Sequence, residues 1–198
     1  TDLPQLRNAY LRPLSIVMFL VVPASAGLIC LTDPLIYVVY SEKWLDAAIP
    51  LQVFALFGVP RALLIFNGYL FEGIGKPKVA FHLGVLRLAI IAPIIIPMVQ
   101  AYGLLGAAVT VVIGAIVQCL VGLIYLHRYA AIKLPELLAT IWRPLWTALV
   151  MSLIVVWVSN LLDPRTQIGL SAAVFSGIAV YVTLNVSVLL KLKNERLV

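Results

Sequence analysis

Apolar residues run in long windows along this chain, and polar residues collect in the gaps between them. Six windows approach or exceed the roughly 20 residues that a helix needs to cross the hydrocarbon core of a bilayer. They are 14–31, 47–71, 79–98, 103–126, 145–162 and 168–190. The gaps carry turn chemistry: TDP at 32–34, GIGKP at 73–77, AYG at 101–103 and DPR at 163–165. Each holds Gly or Pro, the residues that punctuate helices. The pattern predicts an all-α, polytopic membrane helix bundle with six transmembrane helices. The first is able to run on through LIYVVY at 35–40 before the SEKW loop.

One gap is itself periodic. In KLPELLATIWRP, 133–144, the apolar residues Leu134, Leu137, Leu138, Ile141 and Trp142 recur at spacings of three and four. That spacing predicts an amphipathic helix lying at the membrane interface between the fourth and fifth spans. The alternative is a loop that is simply rich in leucine. No internal repeat of useful strength is visible across the six windows.

Composition agrees with lipid as the solvent. Of 198 residues, 63% are hydrophobic and 11% charged, against about a quarter charged in a soluble domain. Mean hydropathy is +1.10. Charge bias then orients the spans. One side receives Arg7, Arg12, Lys76, Lys78, Arg128, Lys133, Arg143, Lys191, Lys193 and Arg196; the other receives only Lys43 and Arg165. The basic side is expected to be cytoplasmic, with both chain ends there. The net charge of +6 therefore reflects loops facing anionic membrane lipids, and no nucleic-acid partner is implied.

Little else suggests chemistry. Cys30 and Cys119 sit in apolar stretches and read as small hydrophobes rather than a disulfide pair. His82 and His127 match no metal-ligand spacing. GIGKPK departs from a phosphate-binding loop, since Pro77 follows Lys76. No cofactor or metal is implied. The chain opens on Thr1 without a signal-peptide pattern, and the expectation is that it forms the C-terminal portion of something longer.

Two of the fourteen basic residues remain, Arg61 and Arg87, and both fall inside spans. Arg61 lies near the middle of 47–71, and Arg87 lies about 12 Å into 79–98 at 1.5 Å per residue. An arginine at such depth costs about 2.5–3.5 kcal/mol on insertion scales, so it should face protein or water. At 100° per residue, Phe54, Phe57, Gly58, Arg61, Ile65, Gly68 and Glu72 share one face within about 60°. Pro60 is expected to kink the helix beside the arginine, because it deprives the Leu56 carbonyl of its donor. Arg61, Arg87 and Glu72 are thus the candidate substrate-binding residues. Alternatives stay open: Arg87 snorkelling to the headgroups, Arg61 capping carbonyls of a neighbouring helix, and a direct Glu72–Arg87 pair. Asn67, Gln52, Gln118, Asn160 and Asn185 read as helix–helix hydrogen bonds, and Gly114, Gln118 and Gly122 as a close-packing face.

Order and spacing then bring a family into view. The stretch SEKWLDAAIPLQVFALFGVPRALLIFNGYLFEGIGKPKVAF, followed by AYGLLGAAVTVVIG, resembles the C-terminal half of Wzx-like polysaccharide flippases. These are polysaccharide transporters of the multidrug/oligosaccharidyl-lipid/polysaccharide exporter superfamily. Trp44, Gly75, Lys76, Pro77, Tyr102, Gly103, Leu104 and Gly106 carry the likeness; FLVVPASAGLICL is similar to the proline-bearing span before the tryptophan loop. Ser41 stands where relatives commonly have glycine, a position that shapes a turn. Such proteins have about fourteen helices, so the resemblance implies that these six are the last, with an N-terminal half missing. It further implies a non-enzymatic, multi-pass transporter of the bacterial inner membrane. The implied partner is an undecaprenyl-pyrophosphate-linked oligosaccharide, with arginine suited to the pyrophosphate.

Three other readings compete. A multidrug exporter would call for central carboxylates, whereas only Glu72 and Asp33 are available, near opposite ends. A membrane enzyme would need grouped acid/base or metal residues, whereas Asp33, Glu42, Asp46 and Asp163 are scattered. In a non-transporting assembly subunit the arginines would be structural.

Overall fold

A computed structural model describes residues 3–194, with side chains through Val186. Lys191, Lys193 and Arg196, assigned above to the basic side, lie outside the residues whose side chains are described. Six α-helices make up nearly all of the described chain: α1 (Leu3–Tyr40), α2 (Ala48–Leu56), α3 (Gly58–Gly73), α4 (Pro77–Ala130), α5 (Leu134–Leu161) and α6 (Gln167–Asn194). A short 3-10 turn, Glu42–Ala47, joins α1 to α2. Four helices are long and apolar enough to cross a membrane, or five if the bent pair α2–α3 counts as one span.

The helix α1 runs through Pro13, Pro23 and Pro34 without breaking. The TDP stretch is therefore inside a helix, and the continuation through 35–40 holds. Each proline leaves the carbonyl four residues earlier without its donor, and in lipid another protein group must supply one. For Pro23 that carbonyl belongs to Phe19, and Tyr181 Oη of α6 donates to it at 2.9 Å. The helix ends at Ser41, whose φ of 76° and ψ of 169° lie where glycine is at ease and serine is strained. A glycine, which the family resemblance leads one to expect at that turn, would adopt this conformation without strain.

The helix α4 is not straight. Gly103 adopts φ 57° and ψ −135°, a non-helical conformation inside the element, and the helix folds back on itself there. A Cβ on Gly106 would sit 1.9 Å from the Met98 carbonyl oxygen. One on Gly114 would press on Ile91 and Arg87, and one on Gly122 would approach Leu83 and Asn67. As the chain steps forward through 106, 114 and 122, its partners step back through 98, 91 and 83. The element is an antiparallel hairpin, and its glycines allow the two arms to close. This agrees with the close-packing face expected at Gly114 and Gly122.

From Leu134 the segment 133–144 is helical, but it forms the first turns of α5 and not a separate element. At 1.5 Å per residue α5 is about 42 Å long, more than the hydrocarbon core requires. Packing centres on α1, which touches α2, α3, α5 and α6, while α3 packs on α4 and α5 on α6. Leu14 and Met18 of α1 are fully buried, with Phe71, Leu126, Ile132 and Val155.

Three contacts tie the helix ends together. Arg7 and Glu136 form an ion pair at 2.7 Å. Lys76 Nζ lies 5.8 Å from the centre of the Tyr129 ring, and Arg165 stands 5.5 Å from that of Tyr37. The first two gather segments that the charge pattern assigned to one side, and the third gathers segments assigned to the other.

A polar cleft between the α3 face and the α4 hairpin

The α2–α3 bend comes first, because it aims the cleft. The two helices meet at Phe57 with a bend of 42°. Pro60 has no amide hydrogen for Leu56, so the regular ladder fails there; Phe57 N–H instead bonds the Phe54 carbonyl at 3.0 Å. Regular helix resumes with Arg61 N–H on the Phe57 carbonyl at 2.9 Å. Close approach of α1 also marks this point, where a Cβ on Gly58 would fall 2.3 Å from Ser25 Oγ. The kink expected beside Arg61 is present.

Below the bend, one face of α3 carries Arg61, Ile65, Gly68 and Glu72, flanked by Leu64 and Tyr69. Opposite stand Arg87 from the first arm of α4 and Gln118 from the second. Together they enclose a cleft of about 300 Å³. The three residues nominated from sequence therefore line one space, contributed by two elements.

Their surroundings differ. Arg61 is exposed, and its guanidinium makes no hydrogen bond or ion pair with any described residue. Arg87 is half-buried, its stem against Gly114 and its guanidinium carbon 5.8 Å from the centre of the Phe57 ring. Glu72 shares the cleft but forms no ion pair with Arg87; among the described residues the salt bridge is Arg7–Glu136. The suggested Glu72–Arg87 pair is thus not made. Each arginine fork remains open to an oxyanion, with geometry suited to two parallel N–H···O bonds.

Gln118 was expected to bond another helix. It lines the cleft instead, and its buried Oε1 has no described partner. Asn67, on another face of α3, does bond across helices, accepting from Tyr10 Oη at 2.6 Å. Gln52 Nε2 of α2 donates to the Ile29 carbonyl of α1 at 3.4 Å. Asn185 bonds within its own helix, to the Tyr181 carbonyl, and Asn160 is exposed. Among the described residues no group of His, Cys, Asp and Glu is placed to hold a metal ion.

A second concavity, of about 500 Å³, lies between α1, α5 and α6 and shares no lining residue with the first. Its walls are apolar, with Phe19, Leu31, Met151, Val155, Leu170 and Val174 among them. Tyr181 lines it too, with its hydroxyl spent on the Phe19 carbonyl.

Comparison with known proteins agrees with this architecture. A family model described as polysaccharide biosynthesis protein matches residues 1–49. The teichuronic acid biosynthesis protein TuaB of Bacillus subtilis (strain 168) is 26% identical over 97% of this chain and 40% of its own length. The probable low-salt glycan biosynthesis flippase Agl15 of Haloferax volcanii is 22% identical over 84% of this chain and 35% of its own. The solved structure of lipid II flippase MurJ in its inward closed conformation superposes with a TM-score of 0.80 at 18% identity. That match takes in 96% of this chain and 41% of the other, and at such identity it is a likeness of fold. The chain thus spans well under half the length of these proteins. The findings bear out the resemblance to Wzx-like polysaccharide flippases and a multi-pass membrane protein.

Proposed function

We propose that this chain is the C-terminal portion of a Wzx-like flippase. It would move undecaprenyl-pyrophosphate-linked oligosaccharide across the bacterial inner membrane for polysaccharide biosynthesis and export. It is a transporter and not an enzyme. The observation that carries this reading is the convergence of Arg61 and Arg87 on one cleft inside an otherwise apolar bundle. Two guanidiniums against one carboxylate favour an anionic head group, and arginine meets pyrophosphate oxygens bidentately. The lipid tail stays in the bilayer while the head crosses along the polar cleft.

Six crossings follow when the α4 arms count separately and α2–α3 counts as one bent span. With the basic side inward, both chain ends are cytoplasmic. The first turns of α5, with the stacked Trp142 and Trp146, sit at the cytoplasmic interface, where tryptophan is favoured. Coverage of 41% of the solved flippase leaves room for an N-terminal half. That half supplies the other wall of the cleft, and alternating access moves the two against each other.

Arg61→Ala in the protein expressed from its complete gene tests the reading. Glycan export should fall at least about tenfold with membrane abundance unchanged, the loss of one charge-assisted contact of about 1.5–3 kcal/mol. Loss of abundance with unchanged export per molecule would make Arg61 structural and defeat the proposal.

A further inference from the structure

Arg61 and Arg87 line the same cleft but are held differently. Arg61 projects from α3 with no described partner. Arg87 is fixed at two points: its stem packs against Gly114 on the other α4 arm, and its guanidinium stands over the Phe57 ring. Phe57 is also the residue at which α2 gives way to α3.

The geometry points to Phe57 as a positioning residue for anion capture by Arg87, a claim that rests on the cleft being the anion site. A guanidinium is planar, and its five N–H donors lie in that plane. An aromatic ring attracts the cation through its face and asks nothing of those donors. A carboxylate in the same position would occupy them and neutralise the charge. The ring therefore restrains the arginine while leaving its fork free for two oxygens of a phosphate. Restraint before binding lowers the ordering cost that a long, flexible side chain otherwise imposes. The separation of 5.8 Å is within the range over which such attraction operates.

Placement follows from the bend. Pro60 interrupts the ladder, and Phe57 sits at the joint with its ring near the first arm of α4. The cleft's second cation is thus aimed by a residue that does not itself line the cleft.

The test replaces Phe57 with mono-, di- and trifluorophenylalanine in the complete protein, then measures binding of inorganic pyrophosphate by calorimetry in detergent. Fluorine drains the ring face of negative charge and leaves shape nearly unchanged, so folding is not at issue. Affinity should fall stepwise, by about 3- to 10-fold at three fluorines, the scale of a partly desolvated cation–π contact. Phe57→Tyr should retain it, and in an Arg87→Ala background the fluorine series should have no effect. If Arg61→Ala and Arg87→Ala weaken pyrophosphate binding but fluorination does not, Phe57 has no positioning role and the anion site stands. If neither arginine substitution affects binding, the anion site falls and this inference falls with it.

Discussion

The cleft at α3 and α4 holds two arginines, a carboxylate and an amide. The somewhat larger concavity between α1, α5 and α6 holds a tyrosine hydroxyl among apolar walls, and that hydroxyl is bonded to the backbone of α1. In an apolar solvent a polar group that serves the fold finds a partner within it, because an unmet one costs several kcal/mol. Tyr181 obeys that rule by repairing the defect left by Pro23. Arg61 and Gln118 Oε1 meet no described partner, and nor do Asn67 Nδ2, Ser159 Oγ and Asn185 Oδ1; what sets the first two apart is that they line one cleft. Unmet polar groups that share one open cleft are the ones that point to a ligand.

The strongest way to break this contrast is to remove one concavity and keep the other. Gly106→Leu places side-chain atoms where the Met98 carbonyl lies, which forces the α4 arms apart and dismantles the cleft wall. A loss upwards of about 3 kcal/mol is expected, read as collapsed membrane abundance and a lowered melting temperature in detergent. Tyr181→Phe acts on the other concavity. It strands the Phe19 carbonyl and should cost about 1–2 kcal/mol in the same melt, with pyrophosphate affinity unchanged. Gln118→Leu sharpens the comparison from the cleft side. Removing a buried oxygen without a partner should leave stability level or raise it by up to about 1 kcal/mol. A melting temperature several degrees lower would show that Gln118 belongs to the fold after all.

Helical period carried much of this architecture in the linear chain. Arg61, Gly68 and Glu72 share a face because 100° per residue puts them there, and AYG announced the fold at Gly103. What escaped the linear reading depends on partners distant in sequence. Pro34 looked like a terminator, but membrane helices tolerate proline when other groups satisfy the freed carbonyl. The Tyr181–Phe19 bond that does this for Pro23 spans 162 positions. Gln118 gave no hint of the cleft, because its facing depends on how tightly the arms close at Gly106. Helical spacing does mark the segment 133–144 as helix, but as part of α5 and not as a separate element, since Pro144 lies inside that helix without ending it.

The hairpin folded at Gly103 also bears on biogenesis. Between its arms, residues 99–103 read VQAYG and contain no charged side chain. A turn without charge is inexpensive to push through the membrane, and its two arms already complement each other through glycine. Gly114 on the second arm lies against the Arg87 stem, so pairing of the arms is also what shelters the first arm's arginine on that side.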